Sequence, residues 1–216
     1  MMGDLKTIEW FAGLDDDSVQ TIDKLTSSRQ YSKNSVIMHE GDPANSMFLL
    51  VSGKVKVYLS DEEGREIILS TMRPGDSFGE LALLGAEDTR TASVMTLESS
   101  SIKVLMKSDL EKLRKEHPII NEVLMTGLID RVKCLTAQVK SLGLKSVYGR
   151  IRIFFNELAD TDSGEITEKL TQQTIANHIG ASREMVARIL KDLRVGGYVS
   201  SDNKQITVLR RLPEKH

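Results

Sequence analysis

The spacing of apolar residues changes character several times along the chain. Leu5, Ile8, Phe11, Leu14, Val19, Ile22 and Leu25 recur at mostly three- and four-residue intervals, which predicts a helix over 4–28 anchored by Trp10. From about 30 to 107 the pattern shortens into brief runs broken by glycine. Val55, Val57 and Leu59 alternate with Lys54, Lys56 and Tyr58, predicting a strand with one buried face. Further strands are expected near 35–39, 46–51, 65–72, 91–96 and 100–106. Ser52-Gly53 suits a tight hairpin, and Asp61-Glu62-Glu63-Gly64 a longer turn. Many short antiparallel strands at this spacing indicate a barrel or jelly roll.

The period then lengthens again. Pro118 is expected to open a long helix reaching about 142. Along it Met125, Leu128, Val132, Leu135, Val139 and Leu142 step by three and four, a narrow heptad seam suited to a two-stranded coiled coil. A helix packed only on its own domain would show a wider apolar stripe. Gly143 reads as a break and hinge, with Ser146 capping the next helix over 147–159. After a polar stretch from Asp160 to Glu168 come a helix over 171–179, the turn Gly180-Ala181-Ser182 and a helix over 183–195 ended by Gly196-Gly197. Tyr198–Ser200 and Gln205–Leu209 are expected to pair across Asp202-Asn203 as a small wing.

Two short helices joined by a glycine-containing turn form a helix-turn-helix. Ser182 is placed to cap the second helix. Val186, Ile189, Leu190 and Leu193 make its buried face, which leaves Glu184, Ala187, Arg188 and Lys191 together on the other face with Arg183 on the shoulder. Arg183 and Glu184 fall in the first turn, the part of a reading helix that enters a DNA major groove. Arginine can pair with guanine through two hydrogen bonds, and glutamate can accept from cytosine. The competing reading is an exposed Glu184–Arg188 pair worth only a few tenths of a kcal/mol.

Charge sharpens this picture slightly. The 216 residues carry a net charge of −2, yet residues 144–216 hold 12 Lys/Arg against 9 Asp/Glu, and residues 169–211 hold 8 against 3. A basic C-terminal segment on a mildly acidic chain suggests local contact with phosphates, although ordinary surface charge would look similar.

A second constellation lies in the strand-rich part. Phe78-Gly79-Glu80-Leu81 opens a short helical turn, and in Thr89-Arg90-Thr91-Ala92 an arginine returns ten residues after the glutamate. Backbone N–H groups at a helix start attract phosphate, and a guanidinium neutralises it with paired hydrogen bonds. A carboxylate accepts from a ribose hydroxyl. Together these suit a small cyclic phosphate ester on a ribose. The competing reading makes Glu80 and Arg90 a structural ion pair in an empty barrel.

With these residues in hand, the chain resembles the CRP/FNR family over nearly its whole length, and most of all its cyclic-AMP receptor branch. The resemblance implies an α+β chain with an N-terminal cyclic-nucleotide-binding jelly roll (1–116), a dimerisation helix (117–143) and a C-terminal winged helix-turn-helix (144–216). Gly79, Glu80, Leu81, Arg90 and Thr91 match the family's phosphate-binding cassette, which implies Glu80 on the ribose 2′-hydroxyl and Arg90 on the phosphate. The family's two base-contacting polar positions on the dimer helix fall on Leu135 and Thr136; only the second matches in kind. Arg183, Glu184 and Arg188 match the recognition-helix pattern of the cyclic-AMP receptors, which implies TGTGA-like half-sites in a palindrome. Ser182 and Lys191 complete the expected DNA-facing set.

The resemblance makes cyclic AMP the expected ligand. Cyclic GMP is the alternative raised by Thr91, and a cyclic dinucleotide is a third. Double-stranded DNA, a second copy of the chain and RNA polymerase are the expected partners. Two other readings stay open at this point. One is a regulator that binds DNA without cyclic AMP; the other is a nucleotide-binding signalling module that docks protein instead of DNA.

Other residues limit the possibilities. With Cys134 as the only cysteine there is no intramolecular disulfide and no four-cysteine metal site, and Cys134 is expected to pack beside the seam. His39, His117, His178 and His216 show no ligand spacing. No metal is expected, and no nucleophile–base–orienter set suggests an enzyme. The N-terminus lacks signal-peptide character and no apolar run approaches membrane-spanning length, so a cytoplasmic protein is expected.

Overall fold

The structure is a computed structural model that describes residues 16–85, 89–167, 169–202 and 205–214. In chain order the elements are α1 (Asp16–Leu25), β1 (Thr26–Tyr31), β2 (Val36–Met38), β3 (Ser46–Ser52), β4 (Val55–Ser60), β5 (Glu66–Met72), β6 (Ser77–Phe78), α2 (Leu81–Leu84), β7 (Ser93–Thr96), β8 (Ser100–Met106), α3 (Lys107–Glu116), α4 (Ile119–Leu144), α5 (Val147–Leu158), β9 (Glu165–Ile166), α6 (Gln172–Ile179), α7 (Arg183–Val195), β10 (Val199–Asp202) and β11 (Gln205–Val208).

Eight strands form two four-stranded sheets, ordered β1-β8-β3-β6 and β2-β7-β4-β5. This is the expected jelly roll. Its centre lies between the sheets, where Phe48, Leu50, Val57, Phe78, Val94 and Ile102 pack together. The opposite face of β3 is also covered: Met47 and Leu49 pack with Ile22, Leu110, Leu113, Ile120 and Leu124 from the helices. Burial on both faces explains why β3 reads as an unbroken apolar run while its neighbours alternate.

At the hairpin after β3, Gly53 has φ +91°, and a Cβ there would stand 2.3 Å from Ser100 Oγ, so the close approach of β8 requires glycine. On β4 the predicted inward residues Val55 and Val57 are buried, but so are Lys56 and Tyr58. The ammonium of Lys56 sits 4.2 Å from the Tyr58 ring centre, so this face carries a cation–π pair instead of the bare polar surface expected.

The other sequence expectations divide similarly. Residues 4–15 of the first predicted helix, with Trp10, lie outside the described residues. Its predicted end at 28 is too late, because Thr26, Ser27 and Ser28 pair with Leu105, Val104 and Lys103 in β1. Gly143 does not break the long helix, which continues to Leu144. The break falls at Lys145-Ser146, where Ser146 Oγ accepts from Gly149 N at 3.1 Å and starts α5. A glycine permits a break; the competing cap three residues later decides its place.

The C-terminal region packs α5, α6 and α7 around Ile151, Phe155, Ile175, Val186 and Ile189, with the wing strands covering Ile166 and Ile206. The wing has three strands, β10-β11-β9, one more than expected. The chain divides into two compact units: Met1–Leu59 with Leu69–Lys133, and Ser60–Ile68 with Cys134–His216. The division falls within α4. No helix among the described residues is long and apolar enough to cross a membrane.

Candidate functional site

The strand-rich unit holds the first candidate site. β6 delivers the chain to Gly79, whose φ of +83° turns it into the single helical turn α2. A Cβ on Gly79 would stand 2.7 Å from Arg90 Nη1 and 3.2 Å from the Phe48 ring. The position therefore demands glycine for both its backbone and its space. Glu80 begins the turn in a helical conformation, and its carbonyl accepts from Leu83 N and Leu84 N.

Arg90 is 6% exposed and Glu80 is 5% exposed, an unusual degree of burial for either type. Arg90 Nη1 donates to the Gly79 carbonyl at 3.0 Å and Nη2 to Ser46 Oγ at 3.2 Å. Its guanidinium lies 5.2 Å from the Phe48 ring centre. Burial pushes the Arg90 pKa below its ordinary value, while the charges of Asp42 and Glu80 pull it back up. A buried guanidinium held mainly by neutral partners keeps much of its capacity for an anion.

The sequence reading missed the partner of Glu80. Arg131, on α4, donates through Nη1 to Glu80 Oε1 at 3.1 Å. The other oxygen, Oε2, is buried and has no hydrogen-bond partner among the described residues. Burying an unpaired acceptor is costly, so this oxygen is poised for a hydroxyl donor. Glu80 and Arg90 thus do not form the simple pair of the competing reading.

Arg131, Gly79, Leu81, Arg90, Thr91 and Ala92 are among the residues around an enclosed space of about 20 Å³. That volume holds about one water, so a nucleotide enters only if side chains move, and Arg131 is the long one reaching across it. The signal that could have found Arg131 was an arginine one helical turn before Leu135, on the face adjoining the seam.

Leu81 is 37% exposed, and Thr91 is exposed at the rim. Leu135 and Thr136 are both exposed on α4. Cys134 beside them is exposed too, like most of the predicted seam. Along the predicted seam, Met125, Val132, Leu135, Val139 and Leu142 all show large exposed apolar surface, joined by Ile129.

The second candidate site is built on α6 and α7. Thr171 caps α6 by accepting from Thr174 N at 3.0 Å. Gly180, at φ +60°, ends α6 in the left-handed conformation. Ser182 then caps α7 by accepting from Met185 N at 3.2 Å. Val186, Ile189, Leu190 and Leu193 are buried as expected. Arg183, Glu184, Arg188 and Lys191 are exposed. Glu184 and Arg188 form no ion pair among the described residues; Arg188 Nη2 instead points to Met185 Sδ at 2.9 Å. The reading face is therefore open to a partner. A concavity of about 530 Å³ adjoins it, bounded by Gln172, Gln173, Arg183, Arg194 and Ser201 of the wing.

Glu80 and Arg90 at the first site, and α7 at the second, each lie within a region that matches a known domain family. Residues 28–117 match the cyclic nucleotide-binding domain family, and residues 149–212 match the Crp-like helix-turn-helix domain family. The chain is 31% identical over 198 residues to the cAMP-activated global transcriptional regulator Vfr of Pseudomonas aeruginosa, covering 87% of this chain and 92% of that protein. It is 32% identical over 184 residues to the cAMP-activated global transcriptional regulator CRP of Salmonella typhimurium, covering 83% and 88%. Among solved structures it shares the fold of the c-di-GMP responsive regulator CLP of Xanthomonas campestris, with TM-score 0.82 and 23% identity over 90% of this chain and 99% of that one. The catabolite activator protein of Thermus thermophilus gives TM-score 0.56 and 26% identity, with 92% of each chain covered.

Proposed function

Because this chain belongs to the CRP/FNR family of DNA-binding transcription regulators with a cyclic nucleotide-binding domain, we propose that it is a homodimer gated by cyclic AMP that reads TGTGA-like palindromes. The observation that carries the ligand assignment is the buried Glu80–Arg90 cradle, with an unpaired acceptor on Glu80 Oε2 and a guanidinium on Arg90. The acceptor suits the ribose 2′-hydroxyl, and the guanidinium suits the cyclic phosphate, with Thr91 beside it. The names of the bacterial relatives favour cyclic AMP as the nucleotide.

In this reading α4 connects ligand to DNA. Its N-terminal half supplies Arg131 to Glu80, and its exposed apolar stripe forms the dimer seam. A nucleotide that takes over Glu80 and Arg90 displaces the Arg131 contact and favours one arrangement of the seam, near Leu135 and Thr136. It shifts the equilibrium only as far as its affinity differs between the two arrangements. The dimer then holds its two α7 helices about 34 Å apart, one turn of DNA. Arg183, Glu184 and Arg188 read base edges, while Ser182 and Lys191 meet the backbone. Promoter-bound dimers would act through RNA polymerase in the cytoplasm, and the reading assigns the chain no reaction.

Isothermal titration calorimetry of the purified protein with cyclic AMP and cyclic GMP tests the ligand assignment. Cyclic AMP is expected to bind at least tenfold more tightly, and Arg90→Leu to abolish the heat. Equal heats for wild type and Arg90→Leu would remove this pocket as the site.

A further inference from the structure

Among the described residues, two buried side-chain polar atoms lack any hydrogen-bond partner: Glu80 Oε2 and Arg150 Nε. The first belongs to the pocket above. The second lies in the wall of a different cavity, of about 470 Å³, inside the unit that carries the helix-turn-helix. Its walls come from the start of β5, the last turns of α4, and the facing sides of α5 and α6. The volume falls within the range of small-molecule sites, roughly 300–1,000 Å³.

The lining has a definite chemical character. Ile68, Ala137, Ile153 and Ile179 make it apolar. Phe154 and His178 contribute a stacked ring pair, with centroids 4.7 Å apart and planes at 24°. Arg150 supplies the cation. It makes no ion pair among the described residues, and burial alone pushes its pKa down. Glu157, the acidic residue on the lining, lies two turns further along α5, about 10 Å away, and is exposed. An uncompensated guanidinium in an apolar, ring-bearing wall calls for a compact anionic group attached to a flat apolar body.

We propose that this cavity is a second small-molecule site, which takes an aromatic carboxylate with its charge on Arg150 and its ring against Phe154 and His178. The site is separate from the nucleotide cradle, since it shares no residue with it. It is also placed to act as an effector site. α6 forms one wall, and the short turn Gly180-Ala181-Ser182 carries any displacement of α6 directly into α7.

The test uses the full-length protein, 2-naphthoate and its uncharged analogue 2-naphthylmethanol, followed by ligand-observed NMR and calorimetry. Wild type is expected to bind 2-naphthoate with a dissociation constant of about 1 mM or lower, and the alcohol about tenfold more weakly. Arg150→Gln should lose about tenfold for the acid and nothing for the alcohol. Ser141→Phe, which places a ring in the cavity from α4, should lose both probes. Arg90→Leu should keep both, and excess cyclic AMP should not compete. Saturating 2-naphthoate should change affinity for a palindromic duplex at least threefold.

Absence of 2-naphthoate binding, or equal binding by Arg150→Gln in a protein with an unchanged unfolding curve, would overturn the site. Loss of naphthoate binding in Arg90→Leu would assign it to the nucleotide cradle instead. Binding with unchanged duplex affinity would overturn the effector role.

Discussion

The side chains around Glu80 are closely constrained by their neighbours. Among the described residues, Arg131 is the one side-chain partner of the buried Glu80 carboxylate. Arg131→Met should therefore destabilise the nucleotide-free protein by about 2 kcal/mol, since removing one member of a largely buried pair strands the other. Urea unfolding measures this, and cyclic AMP should restore part of the loss by binding only the folded state. An unchanged midpoint would mean that the pair contributes nothing. Gly79→Ala meets two obstacles, a φ of +83° and Arg90 Nη1 at 2.7 Å. The expected result is a loss of stability of about 1–2 kcal/mol and at least a tenfold loss in cyclic AMP affinity, because Arg90 must shift. Calorimetry with cyclic AMP checks the second effect independently of the first.

Among elements, α7 is the one whose parts separate most cleanly. Its buried face and its Ser182 cap follow from local rules, so both were legible in the sequence. Ser182→Ala should cost about 1 kcal/mol of stability through the lost cap. Arg183→Ala touches no buried group; it should leave stability unchanged and weaken a TGTGA duplex by about 1–3 kcal/mol. Binding to random duplex should weaken far less, a contrast that anisotropy titrations at one salt concentration would reveal. Elements that depend on distant pairing were less legible. β1, written Thr-Ser-Ser-Arg-Gln-Tyr, has no apolar alternation, and it is a strand because β8 lies beside it. β9 is two residues long and exists only through its register with β11. α3 is mostly charged, with Leu110 and Leu113 as its buried anchors, too few to stand out as a period.

At the scale of the whole molecule, the architecture was readable because two local signatures and one long heptad occur in a fixed order. The pocket was readable only in part: Gly79, Glu80 and Arg90 are close in sequence, whereas Arg131 reaches Glu80 from fifty-one residues away. The same distance hides the Arg150 cavity, whose walls come from four elements. The proposed dimer belongs to this scale as well. Val132 is 63% exposed in the middle of the α4 stripe. Val132→Glu should leave the fold intact and convert the dimer to monomer, with sedimentation velocity as the readout, and duplex affinity should fall with it. A Val132→Glu protein that still sediments as a dimer would place the interface elsewhere.

The central claim joins both sites: a cyclic nucleotide bound at Glu80 and Arg90 controls DNA reading by Arg183, Glu184 and Arg188. Fluorescence anisotropy of a labelled TGTGA–TCACA palindrome tests it most directly, without nucleotide, with cyclic AMP and with cyclic GMP, at fixed salt because phosphate contacts make affinity salt-dependent. The account predicts tight binding with cyclic AMP alone. Equal binding in all three conditions would contradict it, leaving a DNA reader whose switch is not a cyclic nucleotide.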